Sequence, residues 1–160
     1  MPRPALAAIV LLMALGLAAC GGGGDTDRRQ GFGPGYDAPL YPNETPELRH
    51  LINKYAVEYD LPPSLLHRLA IRESTHRPQA RNGPYYGLLQ ILPQTARTMG
   101  HRGPASELLD AETNLKYAGK YLRGAWLLSD GSQDEAIGWY ARGYYYEAKR
   151  RGMLEETGLR

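Results

Sequence analysis

The feature that most constrains this chain is an apolar stripe at helical spacing that stops on a carboxylate. Leu66, Leu69 and Ala70 lie seven, four and three positions before Glu73, so in a helix they share its face and bury that face against a domain. Pro63 suits the first turn of such a helix, because the amide proton it lacks would be unpaired there anyway. Ser74 follows the acid directly, and a Gly87-Leu88-Leu89-Gln90-Ile91 segment comes soon after. A carboxyl at the edge of an apolar stripe loses hydration, which disfavours its charged form and raises its pKa toward the range of a general acid. The competing reading is a glutamate that merely tips into solvent at a helix end, and the surrounding sequence has to decide between the two.

The first twenty residues do not belong to the folded part. Arg3 supplies a positive start, Ala5 to Leu17 is an apolar run too short to span a bilayer comfortably, and Leu17-Ala18-Ala19 places small residues before Cys20, the only cysteine. This arrangement resembles a bacterial lipoprotein signal with its lipobox. The resemblance implies a signal peptide over 1–19, cleavage before Cys20 and lipidation of its thiol, which makes the cysteine an anchor rather than a nucleophile or half of a disulfide. Gly21, not aspartate, follows the cysteine, so the expected location is the periplasmic face of the outer membrane. Residues 20–45 are the lipidated cysteine and a tether, rich in Gly, Pro and Asp and too poor in apolar side chains to fold alone. As a flexible coil of about 25 residues, that tether would span on the order of 25 to 30 Å.

From Pro46 onward the chain alternates helical patterns with breakers. Leu48, Leu51, Ile52, Tyr55 and Ala56 recur at helical spacing, and Asp60-Leu61-Pro62-Pro63 ends that helix. The Glu73 helix follows, then a polar loop over 77–86, a short helix opened by Pro93 and closed by Gly100, and a turn over 105–109. Asp110 reads as the N-cap of a long helix to Leu128, with Leu115, Ala118, Leu122, Ala125 and Trp126 inward. Ser132 and Glu135 form a capping-box pattern for a further helix through Tyr140, and Gly143 separates it from a last helix over 144–151. The fold class expected is mainly α, with little or no sheet, in a domain over 46–152 followed by a tail over 153–160. Formal charge is +2, or +1 once Arg3 is removed with the signal. No basic tract or interleaved aromatic pattern points to nucleic acid.

Taken together, Glu73-Ser74, Gly87 to Ile91, Pro93-Gln94-Thr95-Ala96, the helix bearing Asn114, and Ala136 with Tyr140 and Gly143 resemble the soluble lytic transglycosylase catalytic domain. Each piece is common by itself; their shared order and spacing make the combination specific. The resemblance implies a lysozyme-like helical fold that cleaves peptidoglycan glycan strands between N-acetylmuramic acid and N-acetylglucosamine. Glu73 would protonate the glycosidic oxygen and then, as carboxylate, remove the proton of the muramyl C6 hydroxyl while a 1,6-anhydro ring closes. Ordinary glycosidases use two carboxylates, whereas between Asp60 and Glu107 Glu73 is the only acid. Asp110 and Glu135 read as helix-start residues, so a mechanism with one carboxylate fits.

The resemblance also implies roles for other positions. Ser74 would bond near the acid or the substrate acetamido group, Gln90 would contact the sugar, Thr95 would lie near the cleft, and Tyr140 would sit over Glu73. Against these stand a helix-end cap for Ser74, a satisfied buried amide for Gln90 and a core ring for Tyr140. The family usually carries Tyr-Asn-Ala-Gly where this chain has Tyr140-Ala141-Arg142-Gly143, and Leu89 stands where methionine is common. Aromatic rings pack on the C–H faces of sugars, and among the clustered tyrosines Tyr86 and Tyr140 are the expected cleft residues. His67, His76 and His101 show no metal-ligand spacing, so neither a metal nor another cofactor is expected. The partners expected are glycan strands and, through Cys20, a membrane, with the chain monomeric. Two rival readings stay open: a catalytically silent wall-binding lipoprotein and a hydrolytic lysozyme of the same fold.

Overall fold

The computed structural model describes residue 36 and residues 38–160. The expected signal peptide, Cys20 and most of the expected tether lie outside the described residues. Helix α1 spans Pro46–Glu58, capped by the Thr45 side chain, which accepts from the Leu48 amide at 3.2 Å. Leu48, Ile52, Tyr55 and Ala56 form its buried face. Helix α2, Pro63–Ser74, buries Leu65, Leu66, Leu69 and Ala70 completely. It ends because Thr75 and His76 both turn left-handed, at φ 53° and 55°, a conformation that neither side chain favours.

The 77–86 stretch, expected as a loop, contains a small antiparallel hairpin. Strand β1 is Arg81–Asn82 and β2 is Tyr85–Tyr86, paired Arg81 to Tyr86 and Asn82 to Tyr85 across Gly83-Pro84. Gly83 takes φ +57°, which glycine adopts without steric cost. Immediately after the hairpin the chain folds over 86–91 into a tight loop closed by two backbone bonds of 3.1 Å between Tyr86 and Ile91. Helix α3 is Pro93–Thr98, and a single 3-10 helix covers Ala105–Leu109.

Helix α4, Ala111–Leu127, is the central strut, packing against α1, α3, the 3-10 helix and α5. The Asp110 carboxylate caps it, accepting from the Thr113 amide at 2.8 Å. Helix α5 is Gln133–Arg142, capped by Ser132, and α6 is Tyr145–Arg151. Both caps fall where the sequence places them. Residues 153–160 fold back on the core: Met153, Leu154 and Leu159 pack against it, and the Thr157 hydroxyl donates to the Met153 carbonyl at 2.6 Å. Among the described residues, no helix is long and apolar enough to cross a membrane.

One polar side chain joins α4 to the loop over 86–91. Asn114 is fully buried; its Oδ1 accepts from the Leu89 amide at 2.9 Å, and its Nδ2 donates to the carbonyls of Tyr86 and Leu108 at 2.9 and 2.8 Å. Removing it strands the Leu89 amide and the Leu108 carbonyl at once, each costing about 1 to 3 kcal/mol when unpaired, while the Tyr86 carbonyl keeps its bond from the Ile91 amide. Asn114→Ala is therefore expected to lower unfolding free energy by about 3 kcal/mol or more, read as a shift of the urea midpoint at unchanged slope. A loss below about 0.5 kcal/mol, within the range of an ordinary surface change, would contradict this role.

Candidate active site

Glu73 occupies the last turn of α2, where the apolar stripe meets solvent. Its side chain keeps 22% of its surface exposed, and Arg72 Nε stands 3.4 Å from its Oε1. Burial raises its carboxyl above the usual value, and the Arg72 charge opposes that shift without cancelling it. The carboxyl faces two adjoining cavities. One, of about 900 Å³, is lined by Asn43, His76, Arg81, Asn82, Gln90 and Asp110 among others. The second, of about 300 Å³, adds Tyr85, Tyr140 and Ala141, and runs on into a third of about 320 Å³ bearing Thr95 and Tyr121. The three form one groove, with Gln90 lining all of them.

Gln90 is buried and left-handed at φ 49°. Its Nε2 donates to the carbonyls of Ala80 and Gly87 at 3.0 and 2.8 Å, while its buried Oε1 has no bond to a described protein group. The amide thus holds the loop with one end and carries a buried acceptor at the other, in a side chain that lines the groove. Gly87 makes this loop possible: its φ is +80°, and a Cβ there would collide with the Leu108 carbonyl oxygen and the Asn114 amide. Tyr140 closes the same region from α5. Its hydroxyl donates to the Leu89 carbonyl at 2.8 Å, and its ring meets Tyr121 edge-on at 5.3 Å. Burial, and then the Glu73 charge, push the Tyr140 hydroxyl well above its ordinary value, so it is a fixed donor and not a proton source near neutrality.

The remaining expected site residues divide. Thr95 lines the third cavity. Tyr86 packs against the core beneath the Arg81 guanidinium, 4.6 Å from its ring centre, whereas Tyr85, one residue earlier and on the opposite face of β2, lines the groove. Strand alternation decides which of the two tyrosines faces substrate space, and the sequence read as a loop hid it. Ser74 serves the helix end: its hydroxyl donates to the Ala70 carbonyl and accepts from the Arg77 amide, both at 3.2 Å. Asp110 lines the large cavity while its Oδ1 is engaged as the α4 cap.

A second cluster lies behind Glu73. Glu44, His67 and His76 are all buried, with one ligand-type atom from each within 4.8 Å of the others. Burial alone would raise the Glu44 carboxyl, but the Arg49 fork, the Tyr41 amide and the two imidazoles hold it at about 2. Burial pushes His67 down to about 4 and lowers His76 as well. Spacings of 23 and 9 residues form no recognisable pattern, and Glu44 falls in the segment read as tether, so sequence alone did not reveal this grouping.

The described residues thus form a helical domain with a partly buried acid at a helix end and a groove running past it. Residues 50–152 match the family model of the transglycosylase SLT domain, and the chain belongs to that family. Comparisons with curated proteins and with solved structures return no match.

Two outcomes follow from the acid and its neighbour. Since burial raises the Glu73 carboxyl, its neutral form favours folding, a contribution present at low pH and lost as pH rises through its folded-state value. Glu73→Gln is therefore expected to be at least as stable as the parent at pH 7, with the difference closing below the ordinary glutamate value of about 4.3; a lower Tm at pH 7 would contradict it. Tyr140→Phe should cost about 1 to 2 kcal/mol by leaving the Leu89 carbonyl unpaired, measured by urea unfolding.

Proposed function

We propose that this chain is a peptidoglycan lytic transglycosylase that cleaves the bond between N-acetylmuramic acid and N-acetylglucosamine without water. The observation that carries the reading is Glu73, an acid whose carboxyl is raised by burial and which lines both of two adjoining cavities of the groove. In its neutral form it protonates the glycosidic oxygen as the C1–O bond breaks. The resulting carboxylate then accepts the proton of the muramyl C6 hydroxyl, whose oxygen bonds to C1 and closes the 1,6-anhydro ring. Gln90, which lines all three cavities, contacts the sugar, and Tyr85 and Tyr140 supply apolar ring surface. We further propose that Cys20 carries a lipid and that the domain works from the periplasmic face of the outer membrane.

Hydrolysis is the second reading, favoured by one observation: Asp110 lines the same cavity as Glu73, as a second carboxylate of an ordinary glycosidase would. Its engagement as a helix cap argues against that role. Digestion of purified sacculi with the parent, Glu73→Gln and Asp110→Asn, followed by mass spectrometry of released muropeptides, separates the readings. Anhydro products are expected, one water lighter than hydrolysis products, lost about 10²- to 10⁴-fold in Glu73→Gln and retained in Asp110→Asn. Hydrated ends abolished in both variants would establish the hydrolase. Binding to sacculi without release would leave a silent wall-binding protein, for which Ala141 in place of the family's asparagine would be the first place to look. Intact-mass measurement of membrane-extracted chain tests the lipid on Cys20.

A further inference from the structure

The hydrogen bonds around the buried cluster fix which nitrogen of His67 carries its proton. Asn53 pairs with the backbone of Tyr36 through both ends of its amide, with Tyr36 N donating to Oδ1 at 3.2 Å and Nδ2 donating to Tyr36 O at 3.4 Å. That pairing leaves Oδ1 as the atom facing His67 Nε2 at 3.1 Å, so Nε2 donates and the neutral ring presents a bare lone pair at Nδ1. Nδ1 has no hydrogen-bond partner among the described residues, and it lies 3.3 Å from Glu44 Oε1. Two acceptors therefore face each other in a buried space.

His76 adds a third. Its ring is 1% exposed, neither of its nitrogens has a hydrogen-bond partner among the described residues, and Nε2 stands 3.7 Å from the same Glu44 oxygen. The other carboxylate oxygen, Oε2, is occupied by Arg49 Nη2 at 2.6 Å and the Tyr41 amide at 2.9 Å, while among the described residues Oε1 accepts only from Arg49 Nε, at 2.6 Å. One lone pair of Oε1 thus remains for whatever lies between it and the two rings. Ligands about 2.0 to 2.2 Å from a tetrahedral ion are separated from one another by about 3.3 to 3.6 Å, close to the two spacings of 3.3 and 3.7 Å from Oε1 to the imidazoles, and the three residues each offer a ligand atom within 4.8 Å of the others.

We propose that Glu44 Oε1, His67 Nδ1 and His76 Nε2 form a binding site for a divalent transition ion of the zinc class. Two imidazoles and one carboxylate are a donor set suited to zinc and unsuited to calcium or magnesium, which take oxygen ligands. The Asn53 carbonyl on the far nitrogen of His67, and the Arg49 fork on the carboxylate, are the outer partners that orient such ligands. The Arg49 charge weakens the attraction for the ion without occupying the remaining lone pair. Three separate pieces of chain meet there: the segment before α1, the middle of α2, and the left-handed turn that follows Glu73. His76 also lines the large cavity beside Glu73, so the ion would fix the position of that turn. This assignment stands independently of which reaction Glu73 performs.

The untagged full chain, extracted in detergent and stripped with a chelator, is dialysed against ZnCl₂ and, separately, CoCl₂. The expected result is about one zinc per chain after desalting, and visible cobalt absorption of a four-coordinate site without a thiolate charge-transfer band. Zinc at about 100 times its Kd should raise Tm by on the order of 10 °C, and magnesium or calcium should not. His67→Gln and His76→Gln should each abolish the cobalt spectrum while circular dichroism is kept. Zinc content below about one-tenth per chain at that excess would overturn the site, leaving solvent or a shared proton between these groups. So would a metal signal that persists in both variants, or one carried by thiolate. Should neither variant fold, the stoichiometry and cobalt spectrum of the parent decide the matter alone.

Discussion

The buried amide of Asn114 is the interaction on which the groove depends. A loop of six residues cannot satisfy its own backbone groups by regular pairing, and those that are buried have to find partners elsewhere. Asn114 provides three from one side chain, and it does so from the first turn of α4, just inside the Asp110 cap. Gly87 allows the approach, and Tyr140 ties the Leu89 carbonyl from a second helix. The groove wall bearing Gln90 is consequently held by elements far apart in sequence, α4 contributing three hydrogen bonds directed at backbone and α5 one. Precision at the loop comes from polar contacts, while apolar burial of Leu88, Leu89 and Ile91 supplies the bulk of the driving force.

Much of this was legible in the sequence, for identifiable reasons. Helix starts at Pro46, Pro63, Pro93, Asp110 and Ser132 are written in local chemistry, and each helix begins within a residue of its signal. Glu73 was legible because an acid that terminates an apolar stripe is placed by periodicity alone. The hairpin was not, since strands of two residues carry no alternation to read, and with it went the choice between Tyr85 and Tyr86. Nor was the grouping of Glu44 with His67 and His76: it depends on residues 38–44 docking on α1 through the Arg49 bonds to the carbonyls of Ala38 and Pro39, and composition gives no hint of that docking.

Glu44, buried, and Glu73, partly buried, illustrate how environment assigns roles to one residue type. Glu44, enclosed by a guanidinium and a backbone amide, is held ionised and structural. Glu73, at the mouth of the groove with a single loosely placed arginine beside it, is pushed the other way. Burial acts on both; the number and directness of the cationic and amide partners decide the sign.

The left-handed pair at Thr75 and His76 has a consequence for that sign. Were α2 to continue by one more turn, Arg77 would stand at i+4 from Glu73, the spacing at which a helical arginine pairs with a glutamate. A close ion pair there would draw the carboxyl down, against the upward push of burial. Instead the chain reverses, and Arg77 spends its Nε on the Ser74 carbonyl at 2.9 Å. The strained turn works as a diverter, committing Arg77 to a backbone carbonyl so that, among the described residues, Arg72 is the arginine left paired with the carboxyl.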